Sequence, residues 1–221
     1  MTDDTSDESP SGAARKSAVA RGYDDLADAY DEMRDLDQGE FATIDRLRDR
    51  LVADGATADS PARLLDAGCG AGRGVLERVA DDPAVDALGL DASREQARRA
   101  RQFAPTLRGD LTRLPFRNEA VDALTAFHAT IHVPRTDHPE TYREFERVLR
   151  PDGHLLLTVG MEAWEGSNSD WLDAGAEMHW SYPGAADSRR YLREAGFTIE
   201  QEWAPDDALG HEDWPVWYCQ L

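Results

Sequence analysis

The sequence predicts an α/β fold, a mostly parallel sheet with helices on both faces and a helical cap contributed by the N-terminal region. Three observations carry that prediction. From Arg63 onward, short apolar runs alternate with segments of helical period, as parallel strands joined by crossover helices do. The first run ends in Asp66 and turns through Gly68, Gly70 and Gly72, which sets bare backbone at the carboxyl end of a strand, where α/β sheets bind ligands. The chain has 221 residues, 41% of them hydrophobic, enough for one domain with a real core.

Residues 1–18 are rich in Asp, Ser, Gly and Ala without apolar periodicity, so they are expected to form a disordered acidic tail, with the folded domain spanning 19–221. From Tyr23, the recurrence of Leu26, Ala27, Tyr30 and Met33 predicts a helix, and a second runs over 41–52. A loop over 55–61 leads into a first strand at 63–67, followed by a helix over 72–80. The second strand is 85–90, and Ser93 is placed to cap the helix after it. A short third strand lies near 106–108 and a fourth at 121–127. An amphipathic helix over 140–149 is closed by Arg150-Pro151-Asp152-Gly153, and 154–159 is a fifth strand. Residues 160–183 hold large aromatics with no clear period, which makes them a candidate substrate lid. A helix over 188–195, stopped by Gly196, and strands at 197–203 and 214–220 complete the chain.

Charge narrows the partners. There are 44 acidic and 24 basic residues, a formal charge of −20, and Lys16 is the only lysine. The acids are spread along the whole chain, which reads as adaptation to high salt, as in a halophile. The same balance disfavours nucleic acid, whose phosphates need a basic footprint. No run reaches membrane-spanning length, and the opening Met-Thr-Asp-Asp-Thr-Ser-Asp-Glu-Ser-Pro has neither the basic nor the apolar region of a secretory signal. Cys69 and Cys219 are too few for a disulfide framework. A cytoplasmic protein, monomeric or homodimeric, is expected.

Asp91 lies 23 residues after Gly68, at the end of the second strand, where a carboxylate can accept both hydroxyls of a ribose. Further on, Asp110 of Gly109-Asp110-Leu111 could accept from an adenine amine, with Leu111 against the ring. Taken together, Leu-Asp-Ala-Gly-Cys-Gly-Ala-Gly, Gly-Leu-Asp-Ala-Ser, Gly-Asp-Leu-Thr-Arg-Leu-Pro-Phe and Arg-Val-Leu-Arg-Pro-Asp-Gly-His resemble the ordered motifs of class I S-adenosylmethionine-dependent methyltransferases of small-molecule type. The resemblance implies a Rossmann-like sheet of seven strands, the last antiparallel, and S-adenosylmethionine as cofactor with S-adenosylhomocysteine as product. It implies that Asp66, Ala67, Gly68, Gly70 and Gly72 lie by the methionine and ribose, Asp91 and Ala92 by the ribose, and Asp110 and Leu111 by the adenine. One departure is Asp152, where the family more usually has glycine. A dinucleotide site of an NAD-binding oxidoreductase is disfavoured, because its fingerprint needs glycine or alanine where this chain has Arg73 or Val75. A non-catalytic S-adenosylmethionine-binding module stays open.

The acceptor side is less defined. Tyr23 and Tyr30, two turns apart, resemble the N-terminal segment that covers the cofactor in small-molecule members, and aromatic faces suit a sulfonium cation; an ordinary amphipathic helix is the alternative. Phe127 and the histidines after it stand at the position that faces the transferable methyl group in the family. His128 and His132, spaced for one helix face, are general-base candidates or satisfied structural histidines. No metal is expected, because no carboxylate or thiolate completes a ligand set with them. In the 160–183 segment, Trp164, Trp171, Trp180 and Tyr182 are candidate walls for a small-molecule acceptor, with Glu177 and His179 as polar contacts.

Overall fold

A computed structural model describes residues 12–33, 38–203 and 214–221. Seven strands form the main sheet: β1 (Ala62–Ala67), β2 (Val85–Asp91), β3 (Thr106–Arg108), β4 (Val121–Ala126), β5 (Leu149–Thr158), β8 (Thr198–Trp203) and β9 (Val216–Gln220). Their order is β3-β2-β1-β4-β5-β9-β8. The first five are parallel, and β9 runs antiparallel to both β5 and β8. The order reverses between β1 and β4, so their carboxyl ends flank a crevice.

The buried strands are near-continuous apolar runs whose alternate residues serve opposite faces. On one face Leu65, Leu124, Leu155 and Leu157 pack against Tyr142, Phe145 and Val148 of α6 (His138–Val148) and Leu192 of α7 (Ala185–Glu194). On the other, Leu64, Ala123 and Leu156 meet Ile44, Leu47 and Leu51 of α3 (Gln38–Ala53) and Val75 and Val79 of α4 (Val75–Val79). Burial of each such leucine is worth about 1.5–3 kcal/mol.

Several boundaries differ from the sequence reading. Residues 12–18, expected in the tail, open α1 (Gly12–Asp25), so Tyr23 lies near the end of a helix and not at its start; residues 1–11 lie outside the described residues. Tyr30 sits on α2 (Ala27–Met33), which follows α1 almost without interruption through the bond from the Leu26 amide to the Gly22 carbonyl. The helix expected over 72–80 is confined to Val75–Val79, because Gly72 holds a φ of +81° that no α-helix accepts. β5 begins at Leu149, not His154. Within it Asp152 adopts a φ of +61°, the left-handed backbone that glycine favours, which explains why glycine is the commoner residue there.

The segment expected to lack a period is an antiparallel hairpin, β6 (Trp164–Trp171) with β7 (Ala176–Tyr182). β7 does alternate, with Ala176, Met178, Trp180 and Tyr182 on one side, but its partner β6 is largely exposed and polar and shows no alternation. The hairpin packs on α1 so closely that a Cβ on Gly22 would stand 2.9 Å from the Glu177 carbonyl oxygen. Val19 and Leu26 meet Ala176 and Met178 there in a small separate apolar cluster.

Candidate functional site

The loop after β1 is built for close approach. Gly68, Gly70 and Gly72 have φ of +82°, +54° and +81°, a conformation costly for residues with a Cβ. At Gly68 the space is also taken, since a Cβ there would lie 2.3 Å from the Ala129 Cβ. The amides of Gly68 and Cys69 both donate to the Leu90 carbonyl, tying this loop to the end of β2.

That tie brings Asp91 against the loop. Its carboxylate accepts from the Gly70 amide at 2.8 Å and from the Ser93 amide at 2.8 Å. Bonds to both oxygens fix the orientation of the carboxylate. Ser93 then caps α5 (Arg94–Ala100) as the sequence predicts, accepting from the Gln96 amide at 3.1 Å. Asp24 of α1 adds a second cap, accepting from the Ser93 hydroxyl at 2.6 Å and the Glu95 amide at 2.9 Å. Arg99 completes the fastening by donating to the Ala27 carbonyl and pairing with Asp28 and Asp31. The helical cap is thus held to the sheet edge by polar bonds at defined points.

Two adjoining cavities lie between the cap and the sheet edge. The larger, about 480 Å³, is bordered by Lys16, Ala20, Gly68, Ala92, Asp110 and Leu111. This is within the roughly 300–1,000 Å³ usual for small-molecule sites. The smaller, about 80 Å³, is bordered by Tyr23, Tyr30, Gly70, Asp91, Gln96 and Phe127, with His128 and His132 at its edge. Nine of the twelve residues expected to contact cofactor border one or other of these cavities, but Asp66 is not among them. It is 3% exposed and accepts from the Thr125 hydroxyl at 2.7 Å, so it braces the loop from beneath. Ala67 is fully buried and Gly72 packs against Ala100 and Phe103, so both shape the turn without bordering either cavity.

Two polar residues that sequence reasoning passed over belong to this crevice. Gln96 is 1% exposed, and among the described residues neither its Nε2 nor its Oε1 has a hydrogen-bond partner. A buried carboxamide left unmade costs about 1–3 kcal/mol, so its place at the cavity wall beside Asp91 calls for a polar ligand. Lys16 donates to Asp110 at 2.7 Å and to the Thr112 hydroxyl at 2.8 Å. Burial works against the Asp110 carboxylate, but the bonds from Lys16 and Thr112 outweigh it and hold its pKa below the ordinary value. Their signals were a glutamine in the first turn after the Asp91 loop and the chain's single lysine.

The histidines do not share a helix face. His128 lies in the loop just after β4 with a φ of +49°, its amide donating to the Thr158 hydroxyl and its Nε2 lying 2.7 Å from Glu40 of α3. Non-glycine residues in this conformation gather at functional sites. His132 lies on a 3-10 turn over 130–132. Its Nδ1 is 2.7 Å from the His179 carbonyl, which only accepts, so Nδ1 carries the proton and Nε2 accepts from the Tyr23 hydroxyl at 2.8 Å. Burial pushes the His132 pKa down to about 4, which keeps the ring neutral. Among the described residues no group of three His, Cys, Asp or Glu is arranged to hold a metal.

Aromatic rings wall this end. Tyr23 meets Tyr30, His132 and Trp171 at centroid distances of 5.1, 5.3 and 5.8 Å, and Trp171 meets Trp180 at 5.5 Å. Of the four aromatic residues expected to wall an acceptor pocket, only Trp180 borders a cavity close to His132, one of about 290 Å³ that also touches Glu177 and His179. Trp164 is 45% exposed, and Tyr182 packs between it and Trp214. Trp171 packs among Tyr23, Tyr30 and Trp180 but borders none of the cavities described.

Residues 65–157, which contain this crevice, match the model of a methyltransferase domain family. The chain belongs to the class I S-adenosylmethionine-dependent methyltransferase family. Among its relatives, a malonyl-acyl-carrier-protein O-methyltransferase of Halorhodospira halophila is 30% identical over 214 residues, covering 91% of this chain and 66% of the relative. A 2-phytyl-1,4-naphtoquinone methyltransferase of Synechococcus elongatus is 33% identical over 151 residues, covering 63% of this chain and 62% of the relative. The chain spans between about half and two thirds of the length of the curated relatives it matches. The fold is that of the crystal structure of a 1,6-didemethyltoxoflavin-N1-methyltransferase of Burkholderia thailandensis bound to 1,6-didemethyltoxoflavin and S-adenosylhomocysteine. That match has a TM-score of 0.68 at 18% identity and covers 94% of this chain and 88% of that one. The cyclase SpnF has the same fold, with a TM-score of 0.68 at 20% identity, covering 91% of this chain and 94% of that one. The methyltransferase sheet order and antiparallel β9 agree with that membership. No helix among the described residues of this family member is long and apolar enough to cross a membrane.

Proposed function

We propose that this chain transfers a methyl group from S-adenosylmethionine to a small-molecule oxygen, nitrogen or carbon, releasing S-adenosylhomocysteine. The observation that carries the proposal is the Asp91 carboxylate, oriented by the Gly70 and Ser93 amides, beside the unpartnered Gln96 carboxamide. An acid and a carboxamide at one wall suit a vicinal diol, and the aromatic faces of Tyr23 and Tyr30 above suit a cationic centre. The group, when bound, supplies an already electrophilic methyl carbon.

What the residues must do is align and shield. The Gly68–Ala129 contact and the cap fastened through Asp24 fix the two sides of the crevice, and the rings of Tyr23, Tyr30 and Trp171 exclude water. His132 presents a neutral Nε2, held in one tautomer by the His179 carbonyl, and accepts the acceptor's proton through or in place of the Tyr23 hydroxyl. General bases contribute about 10²–10⁴-fold when their pKa lies near the working pH, and a ring lowered to about 4 stands at the low end of that range. His128 is assigned to positioning, because Glu40 engages its outer nitrogen. The 160–183 hairpin forms the acceptor-side cover, with Trp171 and Trp180 as its inner rings. The charge of −20 argues against a nucleic-acid acceptor, and we place the protein in the cytoplasm as a monomer or homodimer.

The test is calorimetric titration with S-adenosylhomocysteine and, separately, NAD, followed by incubation with S-adenosylmethionine and fractionated cell metabolites while S-adenosylhomocysteine release is monitored. Binding of S-adenosylhomocysteine alone and acceptor-dependent release are expected. Binding of NAD alone would overturn the assignment, and cofactor binding with no release from any fraction would leave a binding module.

A further inference from the structure

Lys16 is the only lysine in a chain whose other basic residues are arginines, and it stands inside the larger cavity. Its ammonium touches Asp110 Oδ2 at 2.7 Å, while Asp110 Oδ1 takes both the Thr112 amide at 2.9 Å and the Thr112 hydroxyl at 2.8 Å. An ammonium has three donors and no acceptor. An exocyclic amine that approached Oδ2 would therefore share that oxygen with a charged donor that already takes one of its two acceptor positions and most of its charge. A second acid is within reach, because Asp137 Oδ2 lies 3.9 Å from the same Nζ. Lys16 thus sits between two carboxylates, bonded to the one in the cavity and close to one beside it.

We infer that Lys16 is a built-in competitor at the nucleobase end of the site: its ammonium holds the place of the ligand's exocyclic amine on Asp110 and passes to Asp137 when a ligand carrying such an amine binds. This inference rests on the cofactor reading above. It makes Lys16 a residue that sets ligand specificity, since only a base with a donor to offer Asp110 recovers what the ammonium gives up. Lysine suits the task and arginine does not. A compact ammonium on a flexible stem can transfer between two acids, whereas a guanidinium would fork onto one carboxylate and stay there.

Lys16→Met keeps the length and helix preference of the side chain and removes the charge. Affinity for S-adenosylhomocysteine, measured by calorimetry, is expected to tighten about fivefold in this variant, the scale of a partly exposed ion pair. The gain should shrink as salt screens the pair in the wild type, and should be absent for the S-adenosylhomocysteine analogue with hydrogen in place of the 6-amino group. Lys16→Arg, which keeps the charge and fastens α1 more firmly, should bind no tighter than wild type, separating release of Asp110 from a general change in the helix. Unchanged or weaker binding by Lys16→Met, or an equal gain for the amine-free analogue, would overturn the inference alone. If the wild type binds no S-adenosylhomocysteine, the cofactor reading falls and this inference falls with it.

Discussion

The hydroxyl of Tyr23 donates to Nε2 of His132 across 2.8 Å, so a residue of the N-terminal cap closes the basic nitrogen of the segment after β4. Donation to a lone pair stabilises the neutral ring and adds to the burial that already lowers its pKa to about 4. Tyr23→Phe should raise the pH at which His132 protonates by about one unit, the worth of one neutral hydrogen bond. Imidazole resonances followed by NMR through a pH titration check this. No rise would mean that the bond is not made in solution.

Gln96 sets function against stability. Methionine fills nearly the same volume without orphaned polar atoms, so Gln96→Met should stabilise the ligand-free protein by about 1 kcal/mol while weakening S-adenosylhomocysteine at least several-fold. Chemical denaturation and calorimetry on the same preparation give both numbers. Loss of stability together with unchanged affinity would remove Gln96 from the site.

Asp91→Ala removes the acceptor for two amides as well as for the ligand. Affinity for S-adenosylhomocysteine is expected to fall more than tenfold, and the freed Gly70 and Ser93 amides should cost about 1–3 kcal/mol of stability. Full affinity in a folded Asp91→Ala protein would end the role assigned to this carboxylate.

At Gly68, crowding and backbone strain can be separated. Gly68→Ala meets the Ala129 Cβ and a φ of +82°, and should lose several kcal/mol. Adding Ala129→Gly removes the first obstacle only, so the double variant should recover part of the loss. Complete recovery would show that the dihedral costs nothing.

Acid should weaken the fold before the carboxylates protonate. His138 is 1% exposed; its Nε2–H faces the Val133 and Ser181 carbonyls, and burial pushes its pKa down to about 4. The unfolded chain binds that proton near pH 6.5, so unfolding takes up a proton between the two values. The stabilisation is whole above about pH 6.5 and is lost as pH falls toward 4, up to roughly 3 kcal/mol for this one group. His132 titrates in the same window. Denaturant midpoints between pH 7.5 and 4.5 should slope downward, and the slope should lessen in His138→Gln. A flat profile over that range would contradict the buried neutral rings.

The sheet was legible because β1, β2, β4 and most of β5 are runs of apolar residues bounded by turn chemistry, and the Ser93 cap was readable from one residue. The crevice was legible through Gly68 and Asp91, whose types are dictated by backbone and by ligand. What escaped depends on distant pairings. Nothing local shows that Asp24 caps a helix beginning at Arg94, that Lys16 reaches Asp110, or that Tyr23 meets His132. The hairpin escaped for a related reason: β7 alternates, but β6 is a mostly exposed polar strand whose only signal is its pairing with β7.

The contact at Gly22 makes the cap and the hairpin one wall, although some 150 residues of chain separate them. The two cannot be exchanged piecemeal. A chimaera that borrows only the hairpin of another family member, to change which acceptor is methylated, would set a foreign surface against a helix shaped for Glu177 and Met178. Carrying both segments over together keeps the seam intact, so on the proposed reading of the hairpin as the acceptor-side cover the unit to exchange is a pair of remote segments and not a loop.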